Sequence, residues 1–490
     1  MIEIGSGIKK IIIMGTDGRG PEMGADYRYR QLESWLLQGI EEQRWRLGER
    51  LPSIRTLCQE HSLSKATVQH ALQRLEAQGL VEARPKSGYF VALQPNAVKK
   101  PVSRSRIEAP RPVSVNELLL DIMGRSAAFD LLPDLHAGDL PPSIVALNRS
   151  IGRALRRQKG DDYQYYDAPA GDIGLREQLS LHSARRGWAV PPDQLCVTSG
   201  CQHALFLALM ACCERGDVVA VESPGFYGVL QLLEQLELRV VEVPTSVETG
   251  MDIEALEEVL ERWKVKACIV SPAFATPGGA LMPSESKSRL LALAERHDLA
   301  VIEDDIYADT ALGSAPDPLK AMDRDDRVIL CSSFSKSLSR DLRLGWVSGA
   351  RWHDRILRLK LVTQLASSRY LQQGVADYMA DGSFASHLRR QRNELRERRD
   401  RLIASLQAWS TGLRVSVPLG GLAVWVELPT SFDTLASYPK ALEEGVVITP
   451  GPLFSVSGQF RNCLRISYAH PWDARRTAAL NRLPELFVQL

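Results

Sequence analysis

SSFSKSLSRDLRLGW, residues 332–346, sets Lys336 among serine hydroxyls and follows it seven residues later with Arg343. It comes directly after RVILC (327–331), an apolar run of strand type. Working backwards, LAVIEDDIY (299–307) ends a second apolar run in Glu303, Asp304 and Asp305, with Tyr307 beyond them. Acids at a strand's end put a carboxylate at the carboxyl edge of a parallel sheet, where ligands bind. Further back, QLCV (194–197) leads into TSGCQHALFLAL (198–209), whose small residues open a helix; a helix N-terminus suits a phosphate. From about Val115 to Leu490, helical patterns alternate with runs such as DVVAVE (217–222) and ACIV (267–270). That alternation predicts an α/β domain with a mainly parallel sheet.

Pyridoxal phosphate chemistry needs a lysine, an acid for the pyridine nitrogen, phosphate donors and an aromatic over the ring. The order and spacing of these parts resemble the fold type I aminotransferases from about residue 130 to the end. The resemblance implies that Lys336 forms the Schiff base and Asp304 pairs with the pyridine nitrogen. It implies that Tyr307 bonds the ring hydroxyl and that Phe226, in SPGFYG (223–228), stacks on the ring. Ser333 and Arg343 would hold the phosphate, helped by Cys201 and Gln202 at the helix start. Tyr166, in QYYDAPAG (164–171), would reach the partner subunit's phosphate, and Arg465, in LRISYA (464–469), would clamp a substrate carboxylate. One departure stands out. In SPAFATPGG (271–279), Thr276 takes the place where such enzymes carry an Asn bonding the ring hydroxyl.

The N-terminal part has another texture. RYRQLESWLLQGIEE (28–42) spaces Leu32, Trp35, Leu36 and Ile40 as a helix face. Pro52 opens a second helix with Ser53 as cap candidate; Ser64 caps a third, whose buried face is Val68, Leu72 and Leu75 and whose end is Gly79. LVEARPKSGYFVAL (80–93) reads as a hairpin. Three helices and a hairpin make a winged helix-turn-helix. The residues resemble the DNA-binding domain of GntR-type bacterial regulators: Gly48, Leu51–Pro52–Ser53, Arg55 and Leu57, then Ser64–Lys65, Thr67–Val68, Ala71–Leu72, Leu75 and Gly79–Leu80, then Arg84, Gly88 and Val91. The resemblance implies that Arg55, Ser64, Lys65, Thr67 and Gln69 face phosphates or base edges of double-stranded DNA, with Lys86 to Gly88 as a wing.

Between the two lies QPNAVKKPVSRSRIEAPRPVS (94–114), proline-rich and basic, which reads as a linker over 94–115. Four segments are therefore expected: a leader at 1–25, a DNA-reading module at 26–93, the linker, and a cofactor-binding domain at 116–490. Composition bounds the rest. The chain has 490 residues and 60 basic side chains against 59 acidic ones, so nucleic acid is read locally and not by bulk charge. No apolar run is long enough to span a bilayer, and the eight scattered cysteines include no CxxC pair. A cytoplasmic protein with reduced thiols and no metal is expected.

Together the two modules resemble the MocR-type regulators over residues 26–490. The resemblance implies a homodimeric transcription factor whose large domain binds pyridoxal 5'-phosphate and senses it or an amino compound. Two alternatives stay open at this point: a working aminotransferase with an accessory DNA-binding domain, and a dimerisation scaffold without cofactor.

Overall fold

The computed structural model describes residues 23–42, 44–45, 47–84, 87–92, 98–114, 118–125, 130–133, 139–409 and 412–489. Most of the expected leader (1–22) and Lys86 of the wing lie outside these residues. The chain divides into two compact units, 1–94 and 95–490.

The small unit is built on α1 (Met23–Glu41), α2 (Ile54–His61) and α3 (Lys65–Ala77), followed by β1 (Val81–Arg84) and β2 (Gly88–Val91). Helix α1 starts at Met23, three residues before the expected boundary. One core serves all five elements: Leu36, Leu57, Leu72, Leu75, Val81 and Val91 are buried together. Trp35 and Ile40 pack at its margin. The strands pair antiparallel, Val81 opposite Val91 and Arg84 opposite Gly88. Gly88 turns the hairpin at φ +104, and a Cβ there would come within 3.3 Å of the Arg50 guanidinium, so the wing's base admits no side chain without strain.

The large unit centres on a nine-stranded sheet. Strands Arg239–Ser246, Val218–Ser223, Val265–Val270, Ala300–Asp304 and Val328–Ser333 run parallel in that order. Gly345–Ser348 is antiparallel to both its neighbours, Val328–Ser333 and Leu195–Thr198. The strands are apolar almost throughout because helices cover both faces. One face packs Leu205, Ala208 and Leu233 against Val219, Ile302 and Ile329. The other packs Leu256, Val259, Leu290 and Leu293 against Val241, Val270 and Val301. A four-stranded sheet, containing Ala423–Glu427 and Cys463–Ser467, lies further along the chain. Among the described residues no helix is long and apolar enough to cross a membrane. All eight cysteines are free thiols, seven of them buried.

The expected linker is different in structure. From Val98 to Pro112 the chain lies docked on the large unit. Val98 is buried, Val415 N–H donates to the Lys99 carbonyl, and the Ser103 hydroxyl and Val102 N–H both donate to the buried Glu427 carboxylate. Arg111–Pro112 adds an edge strand, antiparallel to Arg239–Ser246. Three of its five basic residues are also paired: Lys100 with Glu248, Arg104 with Asp252 and Arg111 with Glu108. Proline content and charge mark a segment that cannot form a helix; they say nothing about whether acids elsewhere in the fold wait to receive it.

Candidate functional site

In the small unit the candidate DNA-facing residues cluster at two helix starts built to one plan. Ser53 accepts from Thr56 N–H at 3.1 Å, and its hydroxyl lies 2.7 Å from that of Thr56. Ser64 accepts from Thr67 N–H at 3.1 Å, with the two hydroxyls 2.8 Å apart. The hydroxyls of Ser64 and Thr67 thus cap α3 and satisfy its first turn. Arg55 and Lys65 project from these turns and are exposed, Gln69 is half-buried, and Gly88 is exposed at the wing. Arg74 is diverted to Glu33, 2.9 Å away on α1.

In the large unit, Lys336 follows the strand Val328–Ser333, and Glu303 and Asp304 end the adjacent strand, followed by Asp305. The structure gives those three acids three different tasks. Glu303 accepts the backbone N–H groups of Leu319 and Lys320, at 2.7 and 2.8 Å. Asp305 takes a two-pronged ion pair from Arg186, at 2.5 and 2.9 Å. Asp304 is left with the Cys201 thiol at 3.2 Å and the Ile306 N–H at 3.4 Å. Burial pushes its carboxyl up to about 6, against the pull of the Cys201 and Ile306 hydrogen bonds. Lys336 lies within electrostatic reach of Asp304, Cys201, Arg340 and Arg465. Burial, then the two guanidiniums, hold its amine well below the ordinary lysine range, so the neutral nucleophile is favoured.

Tyr307 is buried, which pushes its phenol up to about 12, and it shares a hydrogen bond with Thr276. Thr276, Tyr307 and Arg465 also line one narrow cavity of about 10 Å³. The threonine therefore meets the tyrosine directly where a longer side chain was expected. Arg465 is buried on Cys463–Ser467, flanked by the rings of Tyr227 and Phe454 at 5.5 and 5.3 Å. Phe226 sits at the cap of the following helix, 5.0 Å from the Tyr227 ring.

Arg343 reaches across the start of helix Cys201–Cys212. It donates to the Ser199 carbonyl at 3.1 Å and to the Ser335 hydroxyl at 3.4 Å, and a Cβ on Gly200 would lie 2.7 Å from it. Glycine is required there so that the guanidinium can cross the helix end. Ser333 is buried and accepts from Ser335 N–H at 3.2 Å. Cys201 and Gln202 were expected as helpers at a phosphate, but their side chains turn elsewhere. The thiol goes to Asp304, and the Gln202 amide donates to the Gly228 carbonyl at 2.7 Å, beside Phe226. Tyr166 stands apart with its ring 78% exposed, next to Tyr163 and Tyr165, which are equally open. Sequence reasoning missed Ser335 and Arg340. Ser335 lay in view between Ser333 and Lys336; Arg340, four residues after the lysine, had no motif to mark it.

Two family models match the chain: bacterial regulatory proteins of the gntR family over residues 28–91, and aminotransferase class I and II over residues 134–483. The uncharacterized HTH-type transcriptional regulator YjiR of Escherichia coli K12 is 36% identical over 470 residues, covering 94% of this chain and 98% of its own. The chain belongs to the MocR-type transcriptional regulators. In this family the DNA-reading module and the aminotransferase-like domain share one polypeptide, as they do here. The large unit is also similar to transferases without a reader. The 2-aminoadipate transaminase of Thermus thermophilus is 32% identical over 68% of this chain and 84% of its own. A solved Pyrococcus horikoshii kynurenine aminotransferase superposes with a TM-score of 0.68 at 28% identity, covering 76% of this chain and 94% of that one.

Proposed function

We propose that the large unit of this MocR-type regulator binds pyridoxal 5'-phosphate at Lys336 and signals the presence of the cofactor, or of an amino compound meeting it, to the DNA-reading unit. The observation that carries the reading is the separation of Glu303, Asp304 and Asp305. Two of the acids are consumed by backbone amides and by Arg186, and one, buried beside Lys336, holds only a thiol and a distant N–H. A buried carboxylate so poorly paired is costly unless a cation meets it. A protonated pyridine nitrogen is such a cation, so the residues fit the cofactor.

When bound, the cofactor supplies a carbonyl that combines with amines and a ring that withdraws electrons. This chain's residues do the rest. Asp304 keeps the ring nitrogen's proton in place. The Thr276–Tyr307 pair meets the ring hydroxyl, and Phe226 covers the ring. Ser333, Ser335, Arg343 and the backbone at the start of Cys201–Cys212 hold the phosphate. Arg465, fixed between two aromatic rings, receives a carboxylate of the amino compound, a ligand class in keeping with relatives named for 2-aminoadipate and kynurenine. Tyr163, Tyr165 and Tyr166 are all exposed, which fits their burial in a homodimer, where Tyr166 meets the partner's phosphate. Arg55, Lys65 and Gln69 contact operator DNA, Ser64 and Thr67 present the start of α3 to it, and Lys86 and Gly88 form the wing. The protein works in the cytoplasm.

The test is borohydride reduction of the full-length protein with pyridoxal phosphate, followed by peptide mapping and DNA footprinting with and without amino compounds. A label on Lys336 and a footprint that changes with the amine are expected. A label elsewhere, or none, overturns the cofactor assignment. Sustained release of 2-oxo acids over many turnovers, with a footprint indifferent to amines, favours the enzyme reading.

A further inference from the structure

A second cavity of about 240 Å³ lies in the large unit and shares no wall with the cofactor site. It opens between the end of helix Ile173–Ala184, the first half of helix Ser383–Gln407, and the turn that carries Asp309. One wall is apolar, made by Met379, Phe384 and Leu388. The rest is charged and unbalanced: Arg185, Arg186, Arg389 and Arg392 face a single carboxylate, Asp309.

Each charge can be followed to its partner. Asp309 is half-buried and bonded to His182 Nε2 at 3.0 and 3.1 Å. Arg186 is spent on Asp305 and the Pro316 carbonyl. Arg389 donates to the Ser386 hydroxyl. Arg392 donates only through Nε, to the Ala311 carbonyl at 3.3 Å, and the Arg185 side chain has no hydrogen-bond partner among the described residues. The Nη groups of Arg392 make no hydrogen bond among those residues, although the guanidinium lies within electrostatic reach of Asp309. Cations gathered at a cavity whose one anion is already committed favour an incoming anion. A planar guanidinium favours a carboxylate in particular.

We propose that this cavity is a second ligand site, for a small carboxylate with an apolar body about the size of one ring. The carboxylate meets Arg392 and Arg185, and the body lies on Phe384 and Leu388. The volume is below the ~300–1,000 Å³ of drug-sized sites, which keeps the ligand small. The site is placed to matter for the cofactor, because Arg186 forms both its wall and the clamp on Asp305, next to Asp304.

The probe is 4-fluorophenylacetate, followed by fluorine NMR on the full-length protein. Saturable broadening is expected, unaffected by 4-fluorobenzyl alcohol, the uncharged analogue. Arg392→Gln and Arg185→Gln are each expected to weaken binding about tenfold, the loss of one charge-assisted bond. Arg185 is exposed, so its change spares the fold; melting curves verify both variants. Arg465→Gln, which removes the carboxylate-binding guanidinium of the cofactor pocket, is expected to leave the probe bound, which separates this site from that pocket. Absence of saturable binding, indifference to both arginine changes, or loss on Arg465→Gln overturns the proposal.

Discussion

The two units assemble their candidate sites in opposite ways. In the small unit the candidate DNA-facing residues come from two short stretches, 53–56 and 64–69, plus a wing, and the cap bonds that position them span three residues. In the large unit Asp304 meets Cys201 across 103 positions, Arg343 meets Ser199 across 144, and Arg465 lies against Tyr227. A local site depends on helix caps and one small core. A site assembled at a sheet edge depends on the whole sheet. Damage to one should therefore leave the other working, and a change in either unit that disturbs both would break that independence.

The largest effect is expected from Lys336→Ala, which should abolish borohydride-fixed cofactor while DNA binding without ligand stays intact. Gel shift at matched salt checks the second half. In Leu72→Ala the small unit loses a fully buried side chain at a cost of about 3 kcal/mol. Its unfolding transition should move or vanish by calorimetry, while cofactor capture by the large unit is unchanged. Asp304→Asn should weaken cofactor affinity roughly tenfold or more, since it removes the anion that meets the ring nitrogen. If affinity survives, the division of labour among the three acids is wrong. Ser64→Ala should cost about 1 kcal/mol through loss of the α3 cap, lowering DNA affinity without touching the large unit's absorbance.

The smallest effect concerns pH. Glu222 is buried, with one oxygen on Ser271 N–H and the other without a partner, and burial pushes its carboxyl up to about 8. Its folded value lies above the unfolded one, so the stability it contributes is fully present at low pH and is lost as pH rises through about 8. Glu222→Gln should melt like the wild type near pH 4, below the unfolded value, and progressively higher than it as pH rises to 8 and beyond, by about 1–3 °C at pH 9. Equal melting at both would show that the carboxylate finds a partner.

The same contrast explains what could be read in advance. The caps at Ser53 and Ser64, the buried face Val68–Leu72–Leu75 and the alternation of the large unit are local patterns, and period and capping chemistry are written residue by residue. Lys336, Asp304 and Arg343 could be named as candidates because they end strands or follow them closely and match the spacing of a known family. The turning of Cys201 and Gln202 away from the helix end was not legible, since a side chain's direction depends on which neighbour the packed sheet presents. The docking of 98–112 was hidden for a related reason: its acceptors, Glu427, Glu248 and Asp252, lie 148 or more positions away.

By itself, then, the sequence determined two modules, their classes and the chemical inventory of each site, because periodicity, caps and strand-end residues are properties of short segments. Only the tertiary structure decided what Glu303 and Asp305 are spent on, that the basic segment is a docked strap, and that two arginines from one helix and two from the turn after another surround one cavity. Those are questions of pairing, and a charge's partner is settled by distance in space, which folding sets across hundreds of residues.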